Sequence, residues 1–153
     1  MHQTEVETFT NTLAKTHIWL KEIMDDMGWR EQHAAYLALK GVLHSIRDRL
    51  PVNEVVQLGA QLPMLVRGLY YEGWRTSGKP VSQRHEEEFL ADCLKYFGKA
   101  AQASLASFEP GADAEALVRA VFAVLSRHTT AAATIRQLLP TQIRALWPTD
   151  WQA

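Results

Sequence analysis

The chain has 153 residues, 47% of them hydrophobic and 22% charged, with a formal net charge of −1. That length suffices for one well-packed core and is too short for two ordinary ones, and the near-neutral charge argues against nucleic acid or an anionic membrane as partner, since either requires a basic face. One cysteine, Cys93, excludes an intrachain disulfide framework and fits a reducing cytosol.

No apolar run approaches the roughly 18 residues of a membrane span, and the opening MHQTEVETF lacks the basic start and apolar stretch of a signal peptide. A cytoplasmic protein is therefore expected. Thr4 and Glu7 have the spacing of a capping box, which predicts a first helix over about Glu5–Met27. Phe9, Leu13, Leu20, Met24 and Met27 recur along it at helical spacing, and Gly28 supplies a left-handed stop. A second helix is predicted over about Glu31–Arg49, with Tyr36, Leu39, Val42, Leu43, Ile46 and Leu50 on one face, ended by Pro51. Asn53 suits the cap of a short third helix through Gln61, and Pro63 the first position of a fourth, which carries Leu65, Val66, Leu69 and Tyr70 and fades by Gly73.

Glycine, serine and proline gather in Gly73–Val81, GWRTSGKPV, so residues 75–81 read as a linker. A fifth helix is predicted from Ser82, with Phe89, Leu90, Cys93, Leu94 and Phe97 as its stripe and Gly98 as its stop. AQASLASFEPG, Ala101–Gly111, reads as an insertion with a short helix and a turn. A helix over about Ala114–Arg127 bears Leu117, Val121, Val124 and Leu125; Thr130 then caps a short helix to Leu138, and Pro140 opens the last. No stretch alternates with a period of two, so no sheet is predicted.

LPMLVRGLYYEGW, Leu62–Trp74, returns near the C-terminus as LPTQIRALWPTDW, Leu139–Trp151. The register that pairs Pro63 with Pro140 also pairs Leu62 with Leu139, Val66 with Ile143, Arg67 with Arg144, Gly68 with Ala145, Leu69 with Leu146 and Trp74 with Trp151. A shorter register lays FLADCLKYFG, Phe89–Gly98, over WLKEIMDDMG, Trp19–Gly28. An internal repeat explains such mixed matches better than shared composition does. The expectation is a single all-α domain over 1–153: a bundle of about eight helices built from two similar halves, about 5–74 and 82–151.

The run LKGVLHSIRDRLP, followed by LGAQLPMLVRGLYYEGW and SGKP, resembles the bacterial and archaeal domain of unknown function numbered 2267. The resemblance covers nearly the whole chain. It implies an all-helical, internally duplicated fold and brings no activity, cofactor or catalytic residue. The second half departs most from the pattern, because LLPTQIRALWP lacks the acidic-glycine step before its final tryptophan.

Candidate chemistry is sparse. A di-iron bundle needs Glu-x-x-His on paired helices, whereas the residues three before the histidines after His2 are Ala14, Arg30, Gly41, Ser82 and Leu125. His85-Glu86-Glu87-Glu88 reads as a helix start, where the helix dipole favours acidic residues, rather than as a metal site. His17 and His44 read as partly buried, hydrogen-bonded histidines rather than catalytic bases. Cys93, flanked by Phe89, Leu90 and Phe97, reads as a small core residue. No serine elbow or phosphate loop is present, and TSGKP, Thr76–Pro80, reads as a turn. No metal, cofactor or catalytic set is predicted.

Arg67 and Arg144 stand at matching places in the repeat. Under a pseudo-twofold they could frame an anion, or each could cap the exposed carbonyls of a neighbouring helix. Trp74 and Tyr71 lie near the first of them, and with the arginines they are the candidate ligand-binding residues. The leading functional expectation is a non-enzymatic helical module acting through protein contacts, as a homodimer or with another protein. The alternative is a small-ligand or anion binder using the repeat-related arginines.

Overall fold

The computed structural model describes residues 6–80, 85–98 and 112–148, and of residues 112 and 113 the backbone only. These residues form eight helices and no strand: α1 (Glu7–Met27), α2 (Gln32–Arg47), α3 (Val52–Gln61), α4 (Met64–Tyr71), α5 (Glu86–Cys93), α6 (Ala112–His128), α7 (Ala132–Leu138) and α8 (Thr141–Arg144). The predicted cap at Thr4, the helix start at Ser82, the short helix within Ala101–Gly111 and Trp151 lie outside the described residues.

Several helix ends differ from those predicted, each for a local reason. The α1 cap is Val6, whose carbonyl accepts from the amides of Phe9 and Thr10 at 2.9 and 3.3 Å, so the helix begins at Glu7. The α2 helix stops at Arg47 rather than Arg49, because the Arg49 amide turns more tightly onto the Ile46 carbonyl (3.0 Å). Pro51, not Asn53, caps α3. Pro63 and Pro140 take the cap positions of α4 and α8 in extended backbone, at ψ 147° and 151°, rather than the first helical positions. Their carbonyls then accept from the amides of Arg67 and Arg144, both at 2.8 Å. Thr130 does not cap α7 with its own side chain. Gln61, at the end of α3, does so instead, its Oε1 accepting from the amides of Thr130 and Ala131 at 2.8 Å each.

The α2 helix is the centre of the molecule. From Ala38 to Arg47 every residue except Lys40 is buried, and α1, α4, α5 and α6 all pack on it. Its Ala, Gly and Ser positions make this approach possible: a Cβ at Gly41 would overlap the carbonyl of Cys93 on α5. One continuous core joins Trp19, Ile23 and Leu43 to Phe89, Phe122 and Trp147. The most extensive helix contacts are α1 against α6 and α2 against α5.

One part of the predicted core is not inside. Phe9 and Leu13 are 61% and 47% exposed, although they continue the stripe that buries Leu20 and Ile23. Of residues 7–15 only Thr12 is even half-buried. Helical periodicity identified the stripe correctly but could not say how far along it a neighbouring helix reaches.

Two glycines on neighbouring elements should respond oppositely to the same substitution. Gly41→Ala should cost more than about 2 kcal/mol, since helix backbones cannot give way as a flexible side chain can. Gly68→Ala, where an added Cβ meets nothing within 4 Å, should stabilise by about 0.5–1 kcal/mol through the unfolded chain. Urea unfolding midpoints of the two variants check both signs.

Candidate functional site

An open groove of about 910 Å3 runs between α1, the start of α2 and α4. Phe9, Leu13 and Leu20 line it from α1, and Met64, Leu65, Gly68 and Leu69 from α4, with His33 and Tyr36 of α2 along the other side. Nine large apolar side chains are exposed among the described residues; Phe9, Leu13, Met64 and Leu65 of this groove account for four of them. Singly scattered apolar residues are ordinary on a protein surface, whereas these four are collected around one concavity. Over Gly68 the space is open. Its polar lining is Thr12, Thr16, His17, Gln32, His33 and Glu72, whose carboxylate is paired with Lys40 at 2.9 Å.

The α4 wall is short, and it is held from behind by the polar end of α2. An eight-residue helix leaves its last carbonyls without internal partners. Here His44 Nε2 donates to the carbonyl of Leu69 at 2.6 Å, and Arg47 Nη1 donates to those of Tyr70 and Glu72 at 2.8 and 2.9 Å. Asp48 holds the other side of the Arg47 guanidinium, through Nε at 2.9 Å, and Lys79 lies 3.7 Å from the same carboxylate. The arginine charge also suits the negative end of the α4 dipole. At the opposite end of α4, Thr12 Oγ1 accepts from the Leu65 amide at 2.9 Å, which ties the exposed part of α1 to the groove.

His44 is buried, with 2% exposure. Burial pushes its imidazole down to about 4, so the ring is neutral at physiological pH. The carbonyl of Leu69 can only accept, which assigns the proton to Nε2; Nδ1 then accepts from the hydroxyl of Tyr96 at 2.5 Å. Lys40 lies over the Tyr96 ring at 4.6 Å. Arg49 reaches in the other direction, to Asp92 of α5 at 3.0 Å and over the Phe89 ring at 5.2 Å. The sequence patterns did not single out Arg47, Asp48 and Arg49 as functional. A usable signal was present, because two arginines flank an aspartate where an otherwise apolar helix meets a proline.

The residues predicted from the repeat divide between two places. Arg67 donates through Nε to the Gly59 carbonyl at 2.7 Å and through Nη2 to that of Leu62 at 3.0 Å. Arg144 donates through Nη2 to the carbonyls of Gln137 and Leu139 at 2.9 and 3.2 Å. Each thus ties down the end of the helix before its own Leu-Pro corner, as the capping reading expects. Tyr71 lies against Gly59, where a Cβ would strike its hydroxyl, and its ring is 5.5 Å from that of Trp74. Arg67, Tyr71 and Trp74 therefore gather around the end of α3. Among the described residues no hydrogen bond, ion pair or ring contact joins Arg144 to them.

The remaining candidates are structural. Cys93 is fully buried and its thiol is pushed up to about 12 by that burial. Glu86, Glu87 and Glu88 form the first turn of α5, and the side chain of Gln142 accepts from the Glu86 amide at 3.1 Å. Burial and a hydrogen bond that the protonated Glu86 carboxyl donates to Glu115 raise its pKa. Gly78, with φ +74°, makes the turn in TSGKP, closed by the Lys79 amide on the Thr76 carbonyl at 3.2 Å. Among the described residues no group of three or more His, Cys, Asp or Glu could hold a metal ion, and no helix is long and apolar enough to cross a membrane.

An all-helical protein built on one buried helix, with an uncovered apolar groove, is the class that this architecture defines. The model of the family described as uncharacterized conserved protein (DUF2267) matches residues 16–146, and the chain belongs to that family. No curated protein matches the chain.

The buried imidazole sets a pH dependence. In the unfolded chain a histidine takes up its proton near 6.5 and in the fold His44 does so near 4. The unfolded state binds more protons between these values, so stability falls as pH drops from about 6.5 to about 4, by up to about 3 kcal/mol. His44→Gln keeps a donor for Leu69 and an acceptor for Tyr96 but cannot titrate. Urea titrations across that range should show a flatter profile for the variant; equal slopes would disprove this account of the buried imidazole.

Proposed function

We propose that this protein is a non-enzymatic helical module that acts through protein contacts, and that the groove between α1, α2 and α4 is its contact surface. One observation carries the reading: Phe9, Leu13, Met64 and Leu65, each at least 45% exposed, are collected around a single concavity. Leaving them in water forgoes roughly 25 cal/mol per Å2 of apolar surface. A partner that covers them recovers that stabilisation. The wall beneath them is anchored by His44 and Arg47, and a pre-formed surface loses little conformational entropy on binding.

The small-ligand or anion reading through Arg67, Arg144, Trp74 and Tyr71 has less support, since both guanidinium groups already donate to backbone carbonyls. A cytoplasmic location suits the single, buried Cys93. We also propose that the two halves arose by duplication. Support comes from the matching Leu-Pro-x-x-x-Arg corners, in which Leu62 and Leu139 have φ/ψ of −84°/146° and −80°/150° and each offers its carbonyl to the arginine five residues on.

A photoreactive amino acid at position 13 should cross-link to polypeptide in the host cytoplasm, while the same group at the exposed Gln57 on α3 should not. Absence of any adduct from position 13, or equal adducts from both positions, would sink the contact reading.

A further inference from the structure

We infer that the occupant of the groove is the same groove of a second copy of this chain, so that the protein forms a twofold-symmetric dimer through α1 and α4. This rests on the contact reading above and names its partner. Val6 at the cap of α1, and Phe9, Leu13, Thr16, Leu20, Ile23 and Met27 along it, are spaced alternately by three and four residues. That is the spacing of a helix that packs along a helical partner for its whole length. The later part of this seam, from Thr16 through Ile23, is buried against the chain's own helices. The earlier part, Val6, Phe9 and Leu13, continues it without a break and has no covering element among the described residues.

A twofold interface must be self-complementary, because each residue pair occurs twice with the roles exchanged. In the proposed pairing the exposed side chains of Val6 and Phe9, 55% and 61% exposed, are the ridge of each copy, and the open space over Gly68, which lines the groove with Phe9, is the trough that receives it. Charge also permits the pairing. Glu72, the one acidic side chain that lines the groove, is paired with Lys40 at 2.9 Å.

Area gives the third argument. Val6, Phe9, Leu13, Met64 and Leu65 are 45–61% exposed, which amounts to about 450 Å2 per copy and about 900 Å2 for two, from free side-chain areas of roughly 150–200 Å2. Stable specific interfaces bury about 1,200 Å2 or more in total. Thr12, His33, Tyr36 and the stem of Glu72, which border the same groove, supply the remaining several hundred.

Sedimentation velocity of the full chain from about 1 to 200 μM tests this, with Phe9→Glu blunting the ridge, Gly68→Phe filling the trough and Val56→Glu on α3 as control. The wild type and the control should be dimeric in the upper part of the range. Each groove variant should raise the dissociation constant at least tenfold, with helical circular dichroism unchanged. A wild type that stays monomeric throughout, or a dimer that survives both groove substitutions, overturns the inference. The cross-link from position 13 separates the two levels: an adduct with a different polypeptide overturns self-pairing and leaves the contact reading standing, and no adduct at all overturns both.

Discussion

The structure depends on the polar end of α2. A helix buried on nearly every side would be expected to be apolar to its last turn, yet this one ends in His44, Ser45, Arg47, Asp48 and Arg49. Buried charge is costly unless every donor and acceptor is paired. Here the cost is offset because the arginines serve backbone that has no other partner: Arg47 takes the carbonyls of Tyr70 and Glu72, and Arg49 that of Ser45 together with the Asp92 carboxylate. Neutral His44 takes the Leu69 carbonyl and the Tyr96 hydroxyl. One short stretch of α2 thereby fixes α4 on one side and α5 on the other, and the groove in front of α4 inherits its rigidity from that arrangement.

Under the duplication proposed above, the second half of the chain lacks this polar end. In the register that pairs Pro63 with Pro140, His44 corresponds to Val121, Arg47 to Val124 and Arg49 to Ser126. Val121 and Val124 are fully buried and make an apolar interior around the stacked rings of Phe122 and Trp147, 4.3 Å apart. The counterpart of α4 is then α8, with four residues instead of eight. The Ala145 carbonyl accepts from Arg119 Nη1 at 3.4 Å, and the segment leaves the helix at Ala145. The Leu-Pro corners of the two segments match closely, but the helices they open differ in length.

Much of the architecture was legible in the chain. Periodicity and proline placement located the helices, Gly28 stopped α1 with φ +70° as expected, and the repeated Leu-Pro-x-x-x-Arg string pointed to two matching corners while leaving their arginines open between an anion site and the capping of carbonyls. The misses have a common physical origin. Phe9 and Leu13 lie on the apolar stripe of α1 yet stay exposed, because a stripe records only that one face of a helix is apolar. Whether it meets its own chain depends on where other helices end. The role of Arg47 and His44 depended on contacts with residues 23 to 52 positions away, and no local pattern carries such distances. The substitution of a side chain from a different element, Gln61, for the expected cap at Thr130 is an instance of the same limit.

Hydrogen exchange at low and high protein concentration tests the central claim most directly, that the groove lined by α1 and α4 is a protein contact surface used between copies of this chain. The account predicts that amides in residues 7–15 and 64–69 exchange more slowly in concentrated protein, while those of α3 and α7 keep the same rates. Rates independent of concentration in residues 7–15 and 64–69, or slowing confined to another face, would contradict it.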